Sequence, residues 1–327
     1  MLMGDYYFYR EDIMMNTTEA QNTTVLFTQT NSSINTSSPG NTTISLNKDD
    51  LTYYYRIALL SIYSVVLLTG TISLSLMVHI MKSSSASITS ITVLNLIFAH
   101  FLFLITVPFR IYYYARGYWG LTFGWCKVVS SMIHIHMYMS FIFYVIILIS
   151  RLMTFYHKAE HMASLRRIQA LLVSAMVWIV VLVTVPLIIH FSYGKNNKIS
   201  EEKCFKFGKS ITRGAKVVNY IVSTLIIVVA TVLTVLQANI LRVLYRKHRE
   251  GCTSQQEFAA QLKSLCFALI MVVCFIPYHM FRLYYLNDPN VEGVNEVFLS
   301  LTTFNCLDML TFLGRRHFFV CFLGRAC

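Results

Sequence analysis

Seven long apolar runs, separated by short polar stretches, narrow the folds open to this chain more than any other feature. They lie near residues 54–81, 88–115, 124–156, 165–190, 215–246, 257–286 and 294–313. A helix needs roughly 20 apolar residues to cross a bilayer. Within lipid, every backbone N–H and C=O must be satisfied inside the segment or by the bundle around it. The runs therefore predict an all-α membrane protein, a seven-transmembrane helix bundle. Composition agrees: the chain is 56% hydrophobic and 13% charged, with a mean hydropathy of +0.57. A water-soluble domain of 327 residues needs far more polar surface.

Residues 1–52 differ in kind: they are polar, rich in Asn, Thr and Ser, and lack helical period. They are expected to form a disordered extracellular tail ahead of the bundle at 53–313, with a short cytoplasmic amphipathic helix and tail over 314–327. The opening residues are Tyr-rich and acidic rather than basic then apolar. No cleavable signal peptide is expected, and the first span would serve as the insertion signal. The 27 Lys and Arg residues divide almost evenly between the two sides, so the positive-inside rule decides little. The acceptor sequons at Asn16, Asn22, Asn31, Asn35 and Asn41 carry more weight, because glycosylation needs a lumenal environment. They predict an extracellular N-terminus, a cytoplasmic C-terminus and a multi-pass protein of the plasma membrane.

The cysteines fit that orientation. Cys126 opens the third span and Cys204 lies between spans four and five, both on the oxidising side. A bridge between them would pin the second outer loop over the bundle. Cys266, Cys274 and Cys306 fall within spans and read as small buried residues. Cys321 and Cys327 follow the last span and are candidate palmitoylation sites.

Landmarks in fixed order then give a resemblance. NLIFAH stands in span two, WGLTFGWCK before span three and SRL at its inner end. Trp178 in span four, CFIPYH in span six and NCLDMLTF in span seven complete the set. Over about residues 52–322 the chain resembles the rhodopsin-like G-protein-coupled receptors. The departures are specific. Gly70 and Thr71 stand where span one usually carries Asn, and His100 replaces the usual Asp of span two. Ser150-Arg151-Leu152 replaces Asp-Arg-Tyr, and span five has no proline. Phe275 replaces the usual Trp before Pro277, and Asp308-Met309-Leu310-Thr311-Phe312 replaces Asn-Pro-x-x-Tyr.

The resemblance implies roles for these positions. Arg151 would hold the bundle closed and then turn to the G protein. Ser150 cannot pair with it, so Glu257 at the base of span six is the expected acidic partner. Pro277 removes a backbone hydrogen bond and should bend span six, the element whose inner end swings outward on activation. The resemblance also places His100 where relatives hold sodium with an Asp, and brings His136, Ser140, Asn305 and Asp308 toward it. An imidazole facing the ion suits sodium poorly, so no sodium is expected. His100 is instead predicted to hydrogen-bond or ion-pair with Asp308, because ionisable groups inside a membrane face one another.

The outer end is basic and aromatic. Arg110, Tyr113, His134, Tyr138, His279 and Arg282 are the candidate ligand pocket, beneath a second outer loop carrying several lysines. Together they suggest a funnel for an anionic lipid, nucleotide or metabolite. Ile133 stands seven residues after Cys126, where amine receptors of the resembling family carry Asp, which argues against a cationic amine. The inner surface is also basic and suits anionic lipid headgroups.

The function expected is that of a receptor passing an extracellular signal to a heterotrimeric G protein. The alternative is a non-signalling seven-pass scavenger or heterodimer partner, suggested by the SRL and span-seven departures. No inverted repeat, nucleophile motif or His/carboxylate metal cluster points to a transporter or an enzyme. Neither cofactor nor metal is expected, and the partners are the G protein, the ligand and membrane lipids rather than nucleic acid.

Overall fold

A computed structural model describes residues 48–81, 88–156, 163–192, 204–205, 211–249, 255–288 and 291–309. The five sequons, Cys321, Cys327, the amphipathic segment after 314 and most lysines of the second outer loop lie outside these residues, as does the side chain of Glu257. Among the described residues there are seven α-helices and no strand: α1 (Lys48–Met81), α2 (Ile88–Arg116), α3 (Phe123–Tyr156), α4 (Ala163–Ser192), α5 (Arg213–Arg249), α6 (Gln255–Tyr285) and α7 (Glu292–Leu301). Six of them, α1 to α6, are long and apolar enough to cross a membrane.

The seventh span departs from the single helical run expected over 294–313. After Leu301 the chain tightens into a 3-10 segment, Thr302–Met309. The polar run SLTTFNCLD supplies the reason. Ser300, Thr302 and Thr303 donate their hydroxyls to the carbonyls of Val297, Leu299 and Ser300 at 2.7, 2.6 and 2.5 Å. Each bond reaches a carbonyl three residues back, competes with the α-helical ladder and favours the tighter winding. This span therefore has its irregularity without a proline. Helices α2, α4 and α6 instead run unbroken through Pro108, Pro186 and Pro277.

Helix α3 forms the axis of the bundle. In its most apolar stretch 61% of the residues are buried, against 22% in α4 and 28% in α1 and α5. The peripheral helices instead turn Leu, Ile and Val outward, as lipid-facing surfaces do. Close approach of α1 to α2 explains Gly70: a Cβ there would stand 2.9 Å from Leu104 Cδ2 and 3.3 Å from Cys306 Sγ. Any side chain there would have to displace the tip of Leu104. Helix α2 ends at Gly117, whose φ of +82° is the left-handed conformation that glycine adopts without penalty. Its N–H reaches Tyr113 O at 2.7 Å, while Arg56 of α1 donates to the free carbonyls of Tyr114 and Ala115. On the opposite flank Trp178 Nε1 donates to Asn95 Oδ1 at 2.8 Å, and Asn95 Nδ2 to Ser174 Oγ at 3.1 Å, joining α2 to α4.

Candidate functional site

At the end of the bundle where α2 leads into α3, the Cys126–Cys204 disulfide holds Phe205 against the helices. Phe205 has φ of 67°, a conformation that costs a non-glycine residue on the order of 1–3 kcal/mol and needs its surroundings to hold it. Those surroundings are aromatic: its ring meets Tyr113 at 5.1 Å, Trp119 at 5.8 Å and Tyr114 at 6.1 Å. Beneath it lies Arg110, its guanidinium carbon 4.3 Å from the Phe205 centroid, a separation that suits a cation–π contact.

Arg110 is fully buried and used internally. It donates to Tyr63 Oη and Val129 O, each at 3.2 Å, and lies 3.9 Å from Glu296 Oε2. Tyr114 Oη donates to the same carboxylate oxygen at 3.5 Å. Arg110, expected in the ligand pocket, thus engages Tyr63, Val129 and Glu296, while its Nε has no hydrogen-bond partner among the described residues. A guanidinium this deep in an apolar bundle needs a carboxylate, and α7 supplies one. Tyr113 belongs to the aromatic cluster around Phe205, and His279 Nδ1 shares a 3.2 Å hydrogen bond with Ser223 Oγ across α5 and α6. All three stand outside the lining of the cavity described next.

That cavity, about 290 Å³, opens among α3 to α7 and is lined by His134, Tyr138 and Arg282 of the expected set. His134 and Tyr138 are four residues apart and so share one face of α3. Arg282 is oriented from α5: its Nε and Nη2 donate to Asn219 Oδ1 at 3.4 and 3.2 Å, and it stacks 5.1 Å from Tyr285. Sequence reasoning missed Glu292, Asn295 and Glu296, which line the cavity from α7. Their spacing in EGVNE puts all three on one helical face, a signal that was present in the sequence. Besides the guanidinium of Arg282, the cavity is thus lined by carboxylates that the sequence reading did not place there. Ser130 Oγ and Asn295 Oδ1 are buried there with no hydrogen-bond partner among the described residues. The opposite wall is aliphatic, from Val181, Val185 and Ile189 of α4.

Deeper in the bundle lies a second polar cluster. His100 Nε2 stands 3.3 and 3.4 Å from the Asp308 oxygens, and His100 Nδ1 stands 2.8 Å from His136 Nε2. Tyr144 Oη donates to Asp308 Oδ2 at 2.5 Å and to Asn305 O at 3.1 Å. A carboxylate only accepts, so His100 donates to it through Nε2. His100 Nδ1 and His136 Nε2 share the next hydrogen bond, and His136 Nδ1 is the end of the chain that has no partner among the described residues. His136 also stacks on Phe103 at 4.3 Å. Ser140 Oγ and the Asn305 amide, both expected in this cluster, are buried in it without partners among the described residues. Tyr144 was not anticipated. It follows His136 and Ser140 at intervals of four and so completes one stripe of α3.

Comparison with known proteins decides the family. Residues 73–311 match the family described as 7 transmembrane receptor (rhodopsin family). Probable G-protein coupled receptor 141 of Homo sapiens is 39% identical over 273 residues, covering 80% of this chain and 89% of that protein. The chain belongs to the rhodopsin family of seven-transmembrane receptors. Probable G-protein coupled receptor 34 of Pan troglodytes is 26% identical over 268 residues, 75% of this chain and 69% of its own length. Cysteinyl leukotriene receptor 2 of Mus musculus is 25% identical over 248 residues, 74% of this chain and 79% of its own.

In this receptor one position expected from the resemblance to act in switching, Phe275, is in direct contact with the polar core. Phe275 is fully buried, its ring 5.8 Å from Phe141 and 6.2 Å from Tyr144. It therefore packs on the tyrosine that holds Asp308, two residues before Pro277. At the inner end Arg151 is partly buried, and no carboxylate pairs with it among the described residues. Ile240, Leu244 and Phe258 form a separate apolar cluster there, with Leu152 and Phe155 against it. Helices α3, α5 and α6 are packed together at that end.

Proposed function

We propose that the receptor binds a small extracellular ligand carrying an acidic group in the cavity beneath Phe205, and relays its presence to a heterotrimeric G protein at the inner ends of α3, α5 and α6. The observation that carries this reading is the cavity itself: partner-less polar atoms and an oriented Arg282 at the outer end of a rhodopsin-family bundle. Polar groups buried without partners disfavour the empty state, and a bound ligand satisfies them. Arg282 and His279 stand on α6 beyond Pro277, so a ligand that pulls on the outer segment of α6 bears on the bend. Phe275 and Tyr144 then connect that bend to the polar core. In this reading the N-terminus is extracellular, the basic inner rim meets anionic lipid, and the segment after 314 lies along the inner leaflet as an amphipathic helix. Arg151 contacts the G protein once the inner end opens, and Glu257 restrains it before then.

The reading is tested by energy-transfer measurement of G-protein subunit dissociation in cells, across all G-protein classes, for the wild type and Arg151→Ala. Dissociation in the wild type, spontaneous or ligand-driven, that Arg151→Ala abolishes at equal surface expression is the expected result. Silence in every class favours the scavenger or heterodimer alternative, for which Ser150 in place of an acid before Arg151 and the missing Asn-Pro of the last span are the supporting features.

A further inference from the structure

Part of the cavity wall is also part of the surface that the bundle turns to lipid. On α4, Val181, Val185 and Ile189 are buried toward the cavity. Val180, Thr184 and Ile188, each one position earlier, line the same cavity and are exposed. On α5, Val218 and Val222 stand four residues apart on one face and both line the cavity. Val180 is 50% and Val218 44% exposed, although each borders an internal space. Helix α4 packs mainly on α3 and touches α5 only sparsely. The cavity therefore continues between α4 and α5 to the lipid-facing surface.

That gap has aliphatic walls. Thr184, the polar residue of its α4 edge, donates its hydroxyl to Val180 O at 2.7 Å, so its hydrogen is used within its own helix. Asn219, the polar neighbour of Val218, accepts from Arg282 and donates to Ala215 O. Depth decides what fills the gap. Val180 lies at the middle of the apolar span Ile168–Phe191. It also stands twelve residues before the end of α4 at Ser192, about 18 Å along the axis at about 1.5 Å per residue. The hydrocarbon core of a bilayer is roughly 30 Å thick, so the gap stands at the level of lipid tails, where water is absent. The cavity itself, about 290 Å³, is at the lower limit of ligand pockets, roughly 300–1,000 Å³. A ligand larger than that continues through the gap, and the part that does so must be apolar.

We infer that the ligand is an amphiphile whose hydrocarbon chain lies between α4 and α5, against Val180, Ile188 and Val218, and continues into the bilayer. This rests on the cavity being the receptor's ligand site and names the apolar part of what it takes. The buried Val181, Val185 and Ile189 then form the inner wall for the same chain, continuous with the outer one.

The test uses purified full-length receptor in nanodiscs and one probe, palmitic acid with a diazirine at the middle of its chain. The probe is photolysed over a range of concentrations, with and without excess unlabelled palmitic acid, and the labelled residues are identified by mass spectrometry. Chains that merely coat the bundle label lipid-facing residues such as Leu68 and Val235 without saturating. A chain seated in the gap labels Val185, Ile189 and Val222 saturably, and unlabelled palmitic acid competes it away. Val218→Trp and Ile188→Trp fill the gap from its two edges. Each should lower the saturable labelling at least about fivefold, or about 1 kcal/mol, while labelling of Leu68 stays as it was. If one variant fails to fold by thermal unfolding, the other and the wild-type pattern decide. Labelling confined to lipid-facing residues, labelling of the inner wall that does not saturate, or saturable labelling that both tryptophans leave unchanged overturns the inference. None of these results touches the G-protein reading, which stands or falls on the Arg151→Ala comparison.

Discussion

Two buried acid–base pairs join α2 to the last span, and their differences show how this receptor divides stability from recognition. The inner pair, His100 with Asp308 at 3.3 Å, is enclosed: both side chains are almost fully buried, and Tyr144 and His136 complete its hydrogen bonds. The outer pair, Arg110 with Glu296 at 3.9 Å, is looser and borders a cavity. Its arginine leans on Tyr63, Val129 O and Phe205 as much as on the acid, and the glutamate also lines the cavity. Membrane bundles hold polar groups where they tie helices together or where something passes or binds. Here each pair does one of these. The inner one closes a hydrogen-bonded chain across α2, α3 and the 3-10 segment, and the outer one keeps an acid available beside a cavity.

The largest effect is expected from the enclosed pair. Asp308→Ala leaves the His100 imidazole buried without its acceptor and Tyr144 with the Asn305 carbonyl alone, and breaking a buried pair in this way costs about 3–5 kcal/mol. Purified receptor should show a large fall in thermal midpoint, with reduced surface expression. His100→Ala should cost less in the Asp308→Ala background than alone, because the partner is already gone. If the two losses simply add, the pair is incidental and the comparison collapses. Next comes Cys204→Ser. The bridge closes a separation of 78 residues, and loss of a disulfide typically costs about 2–4 kcal/mol. The distinctive expectation is that ligand affinity falls as well, because Phe205 loses its anchor above Arg110. Asp308→Ala should act first on stability.

The bundle was legible because lipid leaves few options: seven apolar runs in a chain this poor in charge have to be helices. The proximity of His100 and Asp308 was legible for the same reason, since an imidazole and a carboxylate stranded in apolar helices require each other. The 3-10 segment was not, although its cause is local. Ser300, Thr302 and Thr303 look unremarkable until their hydroxyls are seen to take carbonyls three residues back. The pairing of Arg110 with Glu296 was not legible, because a sequence shows that a cation lies near a helix end but not which neighbour neutralises it. That depended on the rotation of α7, which turns Glu296 inward, and on the bridge that brings Phe205 over the guanidinium. Tyr144 and the EGVNE acids had the right spacing. They were passed over because the family pattern directed attention to other positions.

The outer pair should give a smaller and different response. Glu296→Gln keeps the side chain's size and its ability to accept from Tyr114, but removes the countercharge of Arg110. Arg110 keeps the hydroxyl of Tyr63, the carbonyl of Val129 and the ring of Phe205, so the loss should lie near about 1–3 kcal/mol. Ligand binding should change more than stability does. A stability loss matching that of Asp308→Ala, measured by thermal unfolding side by side, would mean that the two pairs are equivalent ties and that the outer one has no separate part in recognition.

Trp178→Phe sets the lower end of the scale. The indole N–H of Trp178 donates to Asn95 on the flank where α2 meets α4, with no charge involved and with part of the group facing lipid. Phenylalanine keeps the packing against Phe98, whose ring lies 5.2 Å from the tryptophan, and removes one neutral hydrogen bond. Asn95 keeps its donor contacts to Ser174 Oγ and Ile91 O, so a single acceptor atom is stranded. The expected cost is about 0.5–1.5 kcal/mol, read as a small fall in thermal midpoint with ligand affinity unchanged. This neutral contact ties α2 as the two charged pairs do, but to α4 rather than to the last span. A cost as large as that of Asp308→Ala would show that α2 is held by any buried polar contact alike. A small one assigns the holding of α2 to its charged partners on the last span.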